Sequence, residues 1–112
     1  MEQMQAHDTL PMGNTTIGCI ITNARLNKSQ CAKIASIAHN GYADAIFPVH
    51  TMSDGDTIFT LAVNEVDAMP DVVGALAVHV MGKAINRAVL AAEARLRSAK
   101  RCLHTSYPCE RQ

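Results

Sequence analysis

The sequence predicts a single α/β domain in which a strand, a helix, a second strand and a second helix follow one another. Its 112 residues suit one domain and are too few for two independent cores. Two short runs rich in β-branched residues alternate with two segments whose apolar residues recur at helical spacing. This order identifies the chain as a β-α-β-α unit of the α/β class.

The composition argues against several classes of function. Apolar residues make up 48% and charged residues 18% of the chain, which is too apolar for disorder. The charge-free stretch from Val72 to Gly82 is shorter than the roughly 18 residues of a membrane span, so no membrane contact is expected. Ten basic residues balance ten acidic ones, with only two Tyr and two Phe, so nucleic acid is not an expected partner. The first residues carry no secretion signal, and a cytoplasmic location is expected.

The first strand is predicted from Thr15 to Thr22, after a linker over residues 1–14 that contains Pro11 and Gly13. Its run TTIGCIIT is rich in β-branched residues. Ile17, Cys19 and Ile21 share one face, which predicts a strand buried on that side.

The first helix is predicted from Lys28 to Ala45. Asn27 can cap it, with Gln30 as the capping-box partner three residues later. Residues 47–55 contain Pro48 and an Asp-Gly step and predict a loop. Thr57 to Val63 is apolar on both faces, which predicts a strand covered on both sides.

The last helix is predicted to open at Met69-Pro70-Asp71 and to be mostly buried, because its polar residues form only a narrow stripe. The α/β domain is therefore placed at residues 15–97, and residues 98–112 are expected to be a flexible basic tail. Each element has more apolar surface than the others can cover, so a further packing partner is expected.

The junction Asn14-Thr15 is the first candidate for chemistry. A Thr between a linker and a strand can attack the preceding carbonyl, and hydrolysis of the resulting ester frees its α-amino group. An α-amino group has an unperturbed pKa of about 7.7 to 8.0 and can serve as base for the hydroxyl of the same residue. The alternative is a plain turn followed by β-branched residues.

Asp54-Gly55-Asp56, just before the second strand, is the second candidate. Its two carboxylates could orient the Thr15 hydroxyl and hold the freed amino group. The alternatives are an ordinary Asp-Gly turn and a weak divalent-metal site. His50 could line the same site, although a His in such a loop is more often a structural hydrogen-bonding residue. The four cysteines show no zinc-site spacing, and no zinc site is expected.

Four segments together resemble one family. The strings NTTIGCIITNARL, AKIASIAHNGYADAI, PVHTMSDGDTIFTLA and VVGALAVHVMGKAINRAV are similar to the small-subunit region of the L-aminopeptidase/D-esterase family, which includes the nylon-oligomer hydrolases. The resemblance covers about residues 13–92.

The resemblance implies a precursor that cleaves itself before a nucleophilic Ser or Thr and folds as an α-β-β-α sandwich of the N-terminal-nucleophile type. By motif position, the cleaved bond is Asn14-Thr15, the nucleophile is Thr15, and the acidic pair is Asp54 and Asp56. The implied activity is hydrolysis of amide or ester bonds in peptides, amino-acid amides or ω-amino-acid oligomers, without a metal or organic cofactor.

The resemblance also implies a partner. Family members carry a long large-subunit segment before the nucleophile, which supplies the oxyanion-hole Asn and is not among these residues. We therefore expect this chain to act with such a segment and to form homo-oligomers. The alternative is a truncated, catalytically inactive α/β oligomerisation module derived from the family.

Overall fold

The computed structural model describes residues 14–104 and has the predicted order of elements. Strand β1 spans Ile17–Ala24, helix α1 Lys28–Ala45, strand β2 Thr57–Val66 and helix α2 Pro70–His104. The expectations for residues 1–13 and 105–112 lie outside the described residues. The chain is thus a mixed α/β unit, as predicted.

The two strands form a parallel sheet in which Ile17 pairs with Thr57. Strand β1 begins two positions after the predicted Thr15, and β2 continues past the predicted end at Val63. The extension passes through Asn64, which has a φ of 59° and lies where the register shifts. Asn tolerates this left-handed conformation better than most residues, so the strand is bent there without ending.

Helix α1 has the predicted bounds because its cap is encoded locally. The Asn27 side chain accepts from the Gln30 backbone N–H, and the Gln30 side chain accepts from the Asn27 N–H, each at 2.9 Å. The helix buries Ile34, Ala38 and Tyr42 against the sheet and α2. The predicted capping box is confirmed.

The two faces of the sheet differ in their cover. The core face, which includes Gly18, Ile20 and Ile58, packs towards both α1 and α2. The open face consists of Ile17, Cys19, Ile21, Phe59, Leu61 and Val63, all exposed. The prediction that β1 buries Ile17, Cys19 and Ile21 is therefore wrong within this chain, and so is the prediction that β2 is covered on both sides. Alternation identified the two faces but could not say which one the chain's own helices cover.

Helix α2 packs mainly on α1. The two helices lie close together at Gly41, where an added Cβ would lie 2.7 Å from the Val78 carbonyl oxygen. Within residues 70–99, only one stripe of α2 is buried, formed by Val73, Gly74, Ala77 and Met81, so the expectation of a mostly buried helix is wrong for this part of the chain. The large apolar residues that remain exposed there are Val72, Leu76, Val80, Val89, Leu90 and Leu96.

The same helix continues through residues 98–104, where a tail was predicted. Those residues include no Gly or Pro and several strong helix formers, so nothing in them ends the helix.

One part of α2, Pro70–Ala99, is long and apolar enough by length and composition alone to cross a membrane. The charge-free stretch considered in the sequence was shorter because charged residues interrupt this helix. A core helix of a water-soluble protein meets the same criteria, and α2 does contribute Val73, Ala77 and Met81 to the core.

Candidate active site

The predicted site residues meet at the edge of the sheet where both strands begin. Asn14 and Asp54 form an isolated parallel bridge. The Gly55 N–H donates to the Asn14 carbonyl at 3.0 Å, and the Thr57 N–H donates to the Thr16 carbonyl at 2.9 Å. The junction Asn14-Thr15-Thr16 therefore lies directly against the Asp54-Gly55-Asp56 loop.

The Asp56 carboxylate is the most enclosed polar group of this edge. Its side chain is 5% exposed. Oδ1 accepts the Thr16 N–H at 3.0 Å, and Oδ2 accepts the His50 N–H at 3.2 Å. Burial raises the pKa of Asp56, but the hydrogen bonds from Thr16 and His50 and the neighbouring His50 ring outweigh it and lower that pKa. Asp56 is therefore a carboxylate near neutral pH.

His50 contacts Asp56 with both its backbone and its ring. Its φ of 58° places it in the left-handed region, which is uncommon for a non-glycine residue. In this conformation the N–H and the ring nitrogen Nδ1, at 3.0 Å, both reach Oδ2 of Asp56. The ring also packs edge-on against His39, with centroids 4.9 Å apart. His50 acts as a structural hydrogen-bonding residue, and it does so at the candidate site.

The Asp54 carboxylate has a different environment. Its Oδ2 accepts from both the backbone N–H and the hydroxyl of Thr51, each at 2.8 Å, and its own N–H donates to the Thr51 carbonyl. Asp54 therefore closes a local turn, as the turn alternative expected for one carboxylate. Asp56, in contrast, reaches across to the other strand.

Thr15 is exposed and lies beside Gly55. A Cβ added to Gly55 would come within 3.1 Å of the Thr15 hydroxyl oxygen, Oγ1. The hydroxyl, the Asn14 carbonyl and the Asp54-Gly55-Asp56 loop are thus close neighbours.

Tyr42, in helix α1, joins this edge to the core. It is fully buried, and its hydroxyl lies 3.4 Å from the Thr16 carbonyl oxygen and 3.3 Å from that of Thr57. Burial, and then the charge of Asp56, raises the pKa of Tyr42, so its hydroxyl stays protonated and can donate to these carbonyls. The sequence offers one signal for this role, because the hydroxyl of a Tyr on the buried face of α1 needs a hydrogen-bond partner.

No group of three or more His, Cys, Asp or Glu side chains that could hold a metal ion occurs within residues 14–104. The Asp54-Gly55-Asp56 loop therefore does not form such a group with its neighbours in the part of the chain that the structure describes.

The chain is similar in sequence to several curated proteins. A curated protein named as an uncharacterized aminopeptidase of Mycobacterium leprae is 40% identical over 95 residues, which cover 71% of this chain and 26% of the relative. A second curated protein, also named as an uncharacterized aminopeptidase, comes from Mycobacterium tuberculosis (strain H37Rv). It is 48% identical over 58 residues, which cover 52% of this chain and 17% of the relative. A 6-aminohexanoate-oligomer endohydrolase of Kocuria sp. is 40% identical over 55 residues, 49% of this chain and 16% of the relative.

The chain thus spans about a quarter or less of the length of these relatives. The family model described as peptidase family S58 matches residues 1–101, nearly the whole chain. The match extends on both sides of the segments that carried the resemblance. The chain therefore belongs to peptidase family S58, which confirms its resemblance to the L-aminopeptidase/D-esterase family.

Proposed function

We propose that this chain is the small-subunit part of a self-processing N-terminal-nucleophile hydrolase, in which cleavage of Asn14-Thr15 frees Thr15 as the nucleophile. The observation that carries the proposal is the hydrogen-bonded junction at the start of the sheet. It sets the Asn14 carbonyl against Gly55 and the Thr16 N–H against Asp56. Two loops distant in sequence are thereby fixed on either side of one Thr.

The electrostatics of this junction suit an N-terminal nucleophile. Cleavage would create an α-ammonium group on Thr15, one residue before the N–H that Asp56 accepts. Asp56 is ionised near neutral pH because its pKa is lowered, so it supplies negative charge next to that group. The neutral amine would then take the proton of the Thr15 hydroxyl during attack on a substrate.

The proposed partner is the large-subunit segment of the family. The open face presents Phe59 and Leu61, which are 60% and 55% exposed, and parallel sheets are normally covered on both faces. We propose that the large-subunit segment covers this face, completes an α-β-β-α sandwich and brings an oxyanion donor for the substrate. Helix α2 would be an outer layer of that sandwich, and αβ units would assemble further into homo-oligomers.

The proposed substrates follow the names of the relatives. The mycobacterial proteins are named aminopeptidases, and the Kocuria protein is named for 6-aminohexanoate oligomers. We propose that a small peptide, an amino-acid amide or an ω-amino-acid oligomer is hydrolysed after attack by Thr15. The second candidate, an inactive oligomerisation module, is favoured by the same open face, which a second copy could also cover.

The mass of the intact chain tests self-processing. The chain is produced alone and together with the large-subunit segment of the Mycobacterium leprae relative, and its mass is followed over time. We expect the 12.1 kDa chain to give a product whose first residue is Thr15, and we expect none from Thr15→Ala. Cleavage at another bond, or undiminished cleavage in Thr15→Ala, would contradict the proposal.

Hydrolysis of an amino-acid amide by the reconstituted complex tests the acidic pair. Asp54→Asn and Asp56→Asn should each lower the turnover per folded molecule. Each should change the melting temperature only slightly, because neither side chain belongs to the apolar core. Thr15→Ser is the matched control, because it keeps a hydroxyl nucleophile at this position. Unchanged turnover with a lower melting temperature in both Asp variants would make these carboxylates turn residues only.

A further inference from the structure

We infer that the backbone N–H of Gly55 is a catalytic group of the self-cleavage step, in which it binds the developing oxyanion on the Asn14 carbonyl. This inference rests on the proposed function, since it assigns a donor to a reaction at the Asn14-Thr15 bond. It concerns the chain's own peptide bond and is separate from any oxyanion donor that acts on the substrate.

The hydrogen bond is already in place before any reaction. The Gly55 N–H lies 3.0 Å from the Asn14 carbonyl oxygen, which is the oxygen of the bond to be cleaved. The bridge between Asn14 and Asp54 fixes the position of that carbonyl in the ladder. The Thr15 hydroxyl lies on the same side, within 3.1 Å of where a Gly55 Cβ would be. Donor, electrophile and nucleophile therefore converge on one glycine.

Self-cleavage transfers the Asn14 acyl group from the Thr15 nitrogen to the Thr15 hydroxyl and then to water. Oγ1 of Thr15 forms a bond to the Asn14 carbonyl carbon, and the electron pair of the C=O bond moves onto the oxygen that Gly55 holds. Collapse of this intermediate breaks the bond to the Thr15 nitrogen, and the proton that left Oγ1 ends on that nitrogen. Water then hydrolyses the ester, which gives the Asn14 carboxylate and a free Thr15. A donor fixed on the oxygen lowers the barrier because the charge develops there.

Glycine suits this position for a second reason. A side chain at residue 55 would crowd Oγ1 of Thr15, since its Cβ would be 3.1 Å away. The absence of a side chain lets the backbone N–H approach the scissile carbonyl while the hydroxyl keeps room to move onto the carbon.

A backbone substitution isolates this donor. Glycolic acid at position 55 replaces the N–H with an ester oxygen and leaves the rest of the residue unchanged. The matched control is the α-hydroxy analogue of threonine at position 57. It removes the neighbouring ladder bond to the Thr16 carbonyl, which is 2.9 Å long and does not involve the scissile carbonyl. Both chains are mixed with the large-subunit segment, and appearance of the Thr15 N-terminus is followed by mass.

We expect the position-55 ester to slow cleavage by about 10² to 10³-fold, the range for loss of one oxyanion donor. The position-57 ester should slow it by less than about tenfold, since it removes one ordinary hydrogen bond. Equal slowing by both esters, or no slowing by the first, would overturn the role of Gly55 while self-processing stands. No cleavage in the unmodified chain would overturn self-processing, and the inference with it.

A spectroscopic measurement covers the case in which the ester chain does not fold. In the uncleavable Thr15→Ala chain, NMR should detect the coupling through the hydrogen bond between the Gly55 nitrogen and the Asn14 carbonyl carbon. If the folded chain shows the corresponding coupling from Thr57 to Thr16 but none from Gly55 to Asn14, the donor is not in place and the inference is wrong.

Discussion

The core face and the open face of the sheet are built from similar residues yet have opposite surroundings. Ile20 and Ile21 are neighbours in β1, but Ile20 is 8% exposed and Ile21 is 72% exposed. Ile20 belongs to the core that both helices build on the sheet, whereas nothing else within residues 14–104 covers Ile21. Within residues 14–104 the chain thus builds a core on one face of the sheet and leaves the other face as an exposed apolar surface.

The site lies between these two regions, at the edge where the strands begin. Its hydrogen bonds connect Asn14 and Thr16 to the Asp54-Gly55-Asp56 loop and do not depend on cover of the open face. This arrangement separates the residues that would perform the chemistry from the surface that would bind a partner. The two can therefore be changed independently.

The largest expected effect comes from the neighbouring isoleucines. Ile20→Ala should lower the free energy of unfolding by about 2 to 5 kcal/mol, because it leaves a cavity in the core. Ile21→Ala should lower it by no more than about 1 kcal/mol, the span of strand preference at an exposed position. Urea unfolding of the chain alone measures both.

Addition of the large-subunit segment should then reduce the difference between the stability losses of Ile20→Ala and Ile21→Ala. If that segment covers the open face, its binding should raise the free energy of unfolding of the unmodified chain. The increase should be smaller for Ile21→Ala, because the variant has less apolar surface for the segment to cover. An equal gain in the two chains would show that the segment binds elsewhere.

The next effect concerns the contact between α1 and α2. Gly41→Ala should destabilise the chain by about 1 to 3 kcal/mol through overpacking, since the new Cβ would lie 2.7 Å from the Val78 carbonyl oxygen. Gly82→Ala is the matched control in the facing helix, where the nearest atom is 4.0 Å away. That variant should stabilise by about 0.5 to 1 kcal/mol through helix preference. Thermal unfolding, followed by circular dichroism, measures the change in stability of each variant. Destabilisation by both variants would contradict a close contact that is confined to Gly41.

A smaller effect is expected where the core meets the site. Tyr42→Phe removes the hydroxyl shared by the Thr16 and Thr57 carbonyls and should cost about 0.5 to 1.5 kcal/mol. Urea midpoints of the two chains measure the loss, and hydrogen exchange at the start of β1 and β2 should accelerate. Unchanged exchange there would indicate that the hydroxyl does not tie the strands together.

The smallest effect is a dependence of stability on pH. The pKa of Asp56 is lowered in the folded chain, so its contribution is fully present above the unfolded value of about 3.9 and is lost as the pH falls through the folded pKa. The difference in melting temperature between the unmodified chain and Asp56→Asn should therefore stay constant from about pH 6 to about pH 4 and shrink at lower pH. A constant difference would mean that the Asp56 charge contributes nothing.

Local signals predicted the parts of this fold that depend on few neighbours. The bounds of α1 follow from Asn27 and Gln30, which lie within one helical turn of each other. The end of β2 was predicted too early because Asn64 disfavours a regular strand, and the tertiary pairing of Ala24 with Val66 carries the strand beyond it. The roles of Tyr42 and His50 depend on residues that lie far along the chain or adopt a rare backbone angle, so the sequence did not reveal them.

By itself the sequence determined the order of elements, the capped helix, the family, and the candidate residues Thr15, Asp54 and Asp56. These depend on short-range patterns and on motifs. The tertiary structure decided which strand face is covered, that Asp54 closes a turn while Asp56 reaches the opposite strand, and that Gly55 holds the Asn14 carbonyl. Alternation along a strand fixes two faces but not their surroundings, and the partner of a backbone N–H is set only when two strands pair in register.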